Sequence, residues 1–394
     1  MNEPSAGGGA LVALLVFVVA SVWLGTIAQR IVERGSFLKG YFLGNRGLGA
    51  WALALTTTVQ SGGTFMGFPS LVYSHGWVLT LFIAGYMVVP ITGFGMIGKR
   101  MAQLSRRTGA ITVPDLLRER FASPAVGVAA LVLILFYLSF MMVAQFKAGA
   151  IVMKVAMPGS HALTLDESAT TGFDYYYFIG LSVFALTVVG YTAIGGFLAA
   201  VWTDLFQSVM MLIGVMILLP LVLWTAGGLE HASLAAAEHT GPEFLLAPGY
   251  SHDGREFLPL GLAFSMFFLW VFAGVGSPAG MVRIMAAKDT QTVRRSVALL
   301  STYNMFIYLP LIAICICGRA IIPDLPGKTD EIIPRLALLT TSKFAGGSLV
   351  AGLILTAPFG AVMATVSSYL VVIASGLVRD VYQRFIRPTA SVAE

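Results

Sequence analysis

The stretch Thr56-Thr57-Thr58-Val59-Gln60-Ser61-Gly62-Gly63-Thr64-Phe65-Met66-Gly67-Phe68-Pro69-Ser70 sets glycines, a proline and a run of hydroxyl and amide side chains inside an apolar segment. A second stretch, Gly274-Val275-Gly276-Ser277-Pro278-Ala279-Gly280, repeats that combination past the midpoint of the chain. Glycine and proline at this density interrupt a helix. The freed carbonyls and half-helix ends can coordinate a hard cation, and the freed N–H groups and hydroxyls can hold a polar solute. Ser61, Gly62, Gly63 and Thr64 offer such groups at the first break and Gly276 lies in the second, while Phe65, Trp270 and Phe272 offer apolar walls. Lys147 is the clear ionisable residue within an apolar run, two residues after Gln145. Facing inward, its ammonium suits a carboxylate; lying roughly 9 Å by helical rise from the outer end of its segment, it can instead snorkel to the interface.

The elements that position these groups are membrane helices. The 394 residues are 57% hydrophobic and 11% charged, with mean hydropathy +0.84, against about 25% charge in a soluble domain. A bilayer core needs roughly 20 apolar residues per helix, and nine segments qualify: 9–29, 48–73, 76–98, 123–153, 173–193, 203–226, 257–281, 297–319 and 346–378. They predict an all-α polytopic membrane protein with one transmembrane domain, the breaks falling in the second and seventh helices. The first segment reads as a retained helix, because no Lys or Arg precedes it.

Basic residues gather in alternate connections: Arg30, Arg34, Lys39 and Arg46; Lys99, Arg100, Arg106, Arg107, Arg118 and Arg120; Arg283, Lys288, Arg294 and Arg295; and Arg379, Arg384 and Arg387. The intervening connections carry acids such as Asp166, Glu167, Glu230, Asp253 and Glu256. The positive-inside rule then sets the N-terminus outside and the C-terminal tail, 379–394, in the cytoplasm, in a plasma (inner) membrane. Spread over four connections without interleaved aromatics, these charges argue against a nucleic-acid partner. Cys315 and Cys317 lie two residues apart in an apolar helix and support neither a disulfide nor a metal site. No HExxH, GxSxG or paired intramembrane aspartates exist to carry hydrolysis, which argues against an enzyme.

Small residues also serve close helix packing in membranes, but two matched breaks favour a site. Around them the residues resemble the sodium:solute symporter family: Tyr41-Phe42-Leu43-Gly44-Asn45-Arg46, Ser61 to Pro69, Tyr191-Thr192-Ala193-Ile194-Gly195-Gly196-Phe197, Trp202-Thr203-Asp204-Leu205-Phe206-Gln207 and Ala361-Val362-Met363-Ala364-Thr365. The span Gly318 to Leu325, Ile332-Ile333-Pro334 and Arg379-Asp380-Val381-Tyr382 looks most like its sodium/pantothenate branch. The resemblance implies a leucine-transporter-type inverted-repeat fold with one extra N-terminal helix (9–29), a first five-helix repeat (48–226) and an incomplete second repeat (257–378), whose C-terminal part is expected to be absent.

It implies symport of a small organic solute, expected to be a carboxylate such as pantothenate or a monocarboxylate, with Na+ or H+ as coupling ion and no other cofactor. A solute-binding or sensor module and a truncated, inactive remnant are the alternatives. The family's shared sodium site maps onto carbonyls of Thr57, Gln60 and Ala361 and hydroxyl positions at Ala364 and Thr365, of which only Thr365 keeps its oxygen. Ser368, one turn beyond Ala364, is the candidate replacement. Acids at the place of Asp204 are tied in the family to cation coupling; the alternative is a first-turn acid facing the positive end of its helix.

Overall fold

The structure is a computed structural model that describes residues 7–32, 42–57, 61–160, 174–249 and 258–387. Gln60 and the loop acids Asp166, Glu167, Asp253 and Glu256 lie outside the described residues.

Nearly every apolar run forms a helix, since backbone N–H and C=O groups in lipid must pair within their own segment. Helix α1 is Gly8–Val32, α2 Ala50–Thr57, α3 Phe68–His75, α4 Thr80–Val89, α5 Lys99–Thr108, α6 Val113–Phe121 and α7 Pro124–Ala156. After these come α8 Tyr175–Ala226, α9 Leu229–Thr240, α10 Leu260–Gly276, α11 Pro278–Met285, α12 Thr290–Ile321, α13 Ile332–Thr341 and α14 Gly347–Ser375. Among the described residues seven continuous runs are long and apolar enough to cross a membrane. Two of them contain a glycine with positive φ, Gly76 (φ 73°) and Gly196 (φ 56°). At Gly76 a β-carbon would lie 2.3 Å from the Phe244 carbonyl oxygen, so only glycine fits there. These two breaks divide the 63–108 and 175–226 runs, and the nine expected segments all find their helices.

Two buried apolar clusters hold the bundle together. In one, Phe17 of α1 stacks on Phe206 of α8 with centroids 5.3 Å apart and meets Phe359 of α14 edge-on at 6.3 Å. A β-carbon at Gly352 would lie 2.5 Å from the Ala10 carbonyl oxygen, so α1 and α14 touch backbone to backbone. The other cluster gathers Leu53, Phe94, Val282 and Met285 beneath the breaks. There the chain entering α2 pairs with the chain leaving α11: the Leu48 N–H donates to the Ala286 carbonyl at 3.2 Å, and the Lys288 N–H to the Leu48 carbonyl at 2.9 Å. The segments that carry the two breaks are thus tied together at one end. Outward faces are apolar, with Leu186, Trp224 and Phe272 all more than two-thirds exposed, as a lipid-facing surface requires.

Candidate functional site: a cavity at two broken helices

Helix α2 ends at Thr57, and the chain re-enters α3 through a π-helical turn, Gly63–Gly67. The Gly62 N–H donates to Gln145 Oε1 of α7 at 2.9 Å, and a β-carbon at Gly62 would lie 3.0 Å from Ala148 Cβ and from Gln145 Oε1. Glycine stands here because α7 comes against the bare backbone. The Ser61 hydroxyl accepts the Gly63 N–H at 3.1 Å, and the Ser61 N–H donates to the Thr64 hydroxyl at 3.3 Å. The second break is a capped restart: the Ser277 hydroxyl accepts the Gly280 N–H at 3.5 Å, with Pro278 in the first turn of α11, where its missing N–H does no harm. A β-carbon at Gly280 would lie 3.6 Å from Thr57 Cγ2, so the two breaks face each other.

Between them opens a cavity of about 530 Å³, the size of a small-molecule site. Thr57, Ser61, Gly62 and Gly63 line it from the first break, and Gly274, Ser277 and Gly280 from the second; α7 contributes Gln145, Lys147 and Ala148. Trp270 closes one wall, with Tyr86 4.4 Å from it and Tyr308 5.5 Å from Tyr86 by ring centroids. Lys147 therefore lies on the cavity wall, and it has no ion-pair or hydrogen-bond partner among the described residues.

Four expected solute contacts do not line the cavity. Phe65 is fully buried in the core: on a helix it stands about 200° round from Gly63, whereas Met66 and Gly67 return to the cavity side. Thr64 is buried as well, its hydroxyl 3.5 Å from that of Tyr308, so it braces a lining residue instead of lining the cavity. On α10 the cavity face is Trp270, Ala273 and Gly274, which is helical spacing, and Ser277 at the break continues it. Phe272 falls on the opposite side and is 67% exposed, stacked on Phe268; Gly276 is off the face too. The structure adds Asn304 and Tyr308 of α12, Tyr86, Tyr369 and Asp330 to the lining. A signal for the first two existed, a polar pair four residues apart inside an apolar run. Tyr86 and Tyr369 carried none, because a lipid-facing tyrosine reads the same.

Beside the cavity, α14 brings in the expected cation positions. Val362 comes within 3.4 Å of a β-carbon built on Gly62, so this stretch of α14 packs on the first break. The Thr365 hydroxyl donates to the Ala361 carbonyl at 2.9 Å, and the Thr57 hydroxyl donates to the Leu53 carbonyl. Ser368 is engaged: its hydroxyl donates to the Ala364 carbonyl at 2.6 Å and accepts from Arg283 Nη2 at 2.7 Å. Ser368, the expected replacement for the hydroxyl that Ala364 lacks, is thus occupied by Arg283 and the backbone.

Arg283 was counted above among the cytoplasmic charges, and this is a correction. Its side chain is 3% exposed and forms an ion pair with Asp204, which also accepts the Ser367 hydroxyl at 3.3 Å. Asp204 in turn does not open a helix. It lies two turns beyond the break at Gly196, inside the part of α8 that runs on to Ala226, and is 1% exposed. The pairing explains why both charges tolerate burial, and opposite charges near the same ends of two apolar segments were the available hint.

Comparison with known proteins fits this arrangement. The profile of the sodium:solute symporter family matches residues 41–393. The chain is 33% identical over 381 residues to the sodium/pantothenate symporter of Haemophilus influenzae, covering 95% of this chain and 72% of that protein. Its identity to the Escherichia coli sodium/pantothenate symporter is 31% over 390 residues, with 96% and 73% covered, and to an osmoregulated proline transporter of Bacillus subtilis 26% over 392 residues, with 98% and 73% covered. A solved Na+-coupled sialic acid symporter, in a substrate-bound outward-open state, superposes with a TM-score of 0.75 at 19% identity, covering 98% of this chain and 76% of that one; this likeness concerns the fold. By sequence, by fold and by the paired breaks around one cavity, this integral, multi-pass membrane protein belongs to the sodium:solute symporter family.

Proposed function

We propose that the chain carries out Na+-coupled uptake of a small organic carboxylate, pantothenate being the first candidate, across a plasma membrane. The observation that carries the carboxylate reading is Lys147, the one cationic side chain among the described residues that line the cavity. An ammonium on the wall of a mostly apolar cavity, with no partner among the described residues, is suited to an anionic one. Pantothenate is what the two symporters at 31% and 33% identity are named for. Na+ takes the carbonyls of Thr57, Gln60 and Ala361 and the Thr365 hydroxyl, because a hard cation needs oxygen and among the described residues no three His, Cys, Asp or Glu groups converge on a metal. The basic connections face the cytoplasm and the apolar faces meet lipid.

Vesicles containing the chain should take up pantothenate saturably, faster with an inward Na+ gradient, and discriminate against pantothenol, in which an alcohol replaces the carboxylate. Lys147→Ala should remove that discrimination, a loss on the order of tenfold or more for a charge-assisted contact. Uptake no greater than in empty vesicles overturns symport by this chain; intact discrimination in the variant overturns the role of Lys147. A second reading, H+ in place of Na+, is favoured by Ala364 and by the engagement of Ser368 with Arg283. Uptake driven by a pH gradient in the absence of Na+ selects it.

A further inference from the structure

Lys147 has one counterpart in the cavity. Among the described residues, Asp330 is the only acidic side chain in the lining, and it too has no hydrogen-bond or ion-pair partner. It belongs to a short helical turn, Thr329–Glu331, between α12 and α13. Both neighbours are tied down. The Thr329 hydroxyl lies 2.6 Å from that of Ser70 on α3, so the turn is fastened to the broken helix itself. Glu331 Oε2 accepts Arg335 Nε at 3.0 Å and Nη2 at 2.7 Å, and that arginine is 3% exposed. The Glu331 N–H closes the turn on the Lys328 carbonyl at 2.9 Å.

The turn carrying Asp330 is therefore held at both neighbours, while Asp330, a lining residue of the cavity, has no partner among the described residues. It is partly buried, and a bound solute that shuts water away from it puts the carboxylate at a disadvantage unless that solute supplies a donor. A solute that places an anion on Lys147 and nothing on Asp330 leaves that disadvantage in place. One that carries hydroxyl, amide or ammonium donors away from its carboxylate removes it.

We propose that Asp330 is a second recognition residue, which accepts hydrogen bonds from donors at the end of the solute remote from its carboxylate. The transported solute is then a bifunctional anion, recognised at both ends, and simple monocarboxylates are poor ligands. The inference rests on the reading of Lys147 as the carboxylate partner. A direct Lys147–Asp330 ion pair that closes the cavity is the competing role, and the two differ in what they do to selectivity.

Binding to the detergent-solubilised chain, measured by calorimetry, separates them. The ligands are pantothenate, its dideoxy analogue, which keeps carboxylate and amide but lacks both hydroxyls, and pantothenol. The wild type binds pantothenate roughly tenfold or more tightly than the dideoxy analogue, as loss of a hydrogen bond to a charged group implies. Asp330→Asn brings that ratio close to one and keeps the preference for pantothenate over pantothenol, and Lys147→Ala does the reverse. Because Asp330 has no partner, the Asn variant retains the wild-type unfolding midpoint. An unchanged dideoxy ratio in Asp330→Asn, or equal weakening of all three ligands, overturns the proposal and leaves that for Lys147 standing. An unchanged pantothenol ratio in Lys147→Ala overturns the carboxylate reading on its own evidence, and a wild type that binds none of the three removes both.

Discussion

Two polar regions lie within this apolar bundle, and they treat similar side chains in opposite ways. In the cavity, Lys147 and Asp330 line one space and neither has a partner among the described residues. Between α8, α11 and α14, Arg283 and Asp204 are paired, and Ser367 and Ser368 complete the set. The difference is one of access. A charge beside a cavity has water or solute to meet, whereas a charge between packed helices must carry its partner with it. Unpaired groups mark where a ligand goes, and paired ones mark what holds the helices around it.

The sharpest way to break that comparison is to remove one cation from each region. Arg283→Met leaves Asp204 buried beside an apolar chain, and breaking one side of a buried pair destabilises by about 3–5 kcal/mol. The variant should show a lower unfolding midpoint and reduced yield in detergent. Adding Asp204→Asn, which removes the stranded charge, should restore much of the loss. Lys147→Met should leave the midpoint within error and change ligand binding only. Equal thermal losses from Arg283→Met and Lys147→Met would erase the distinction between the regions.

A smaller effect is expected at the backbone of the break. Gly62→Ala sets a methyl 3.0 Å from both Ala148 Cβ and Gln145 Oε1, against the amide that already binds the Gly62 N–H. Overpacking of this kind costs about 1–3 kcal/mol, and here it acts on the cavity wall proposed to hold the solute. Solute affinity should fall several-fold with a modest thermal shift. Gly63→Ala, whose nearest contact is the Ser61 hydroxyl at 3.1 Å, should be milder; a reversed order would show that α7 does not press on the break.

The sequence announced the helices and their breaks because lipid allows so few solutions: an apolar run of sufficient length must be a helix, and glycine with proline must interrupt it. It announced Gln145, Lys147 and the Ser61–Gly63 turn for the same reason, since polar groups in such runs need a purpose. It was mute about facing. Trp270 and Phe272 are alike in hydropathy and two residues apart, yet one walls the cavity and the other faces outward, and only the rotation of α10 decides between them. Pairing was equally hidden. Arg283 follows an apolar run and reads as a topological charge until α8 is seen to bring Asp204 beside it. Asp330 lies in a connecting turn that looks solvated, and its place in the cavity depends on the Ser70–Thr329 contact, which joins residues 259 apart in the chain.

The smallest predicted effect sharpens the boundary between the two regions. Ala364 is the residue before Thr365 on α14, is half-buried, and its carbonyl accepts both Ser367 and Ser368 at 3.0 and 2.6 Å. Those serines belong to the paired cluster, so neither is free to replace the hydroxyl missing at 364. Ala364→Ser supplies one at the position next to Thr365. If Na+ is held by Thr57, Ala361 and Thr365, an added neutral oxygen ligand should strengthen binding by about 0.5–1.5 kcal/mol, roughly a two- to tenfold fall in the Na+ concentration for half-maximal uptake. Thr365→Ala should move that concentration the other way. Because the substitution leaves Lys147 and the Arg283–Asp204 pair in place, the unfolding midpoint and the preference for pantothenate over pantothenol should both stay where they are. A serine that shifts the preference and not the Na+ dependence would place residue 364 with the solute, and the cation would then lie elsewhere along α14.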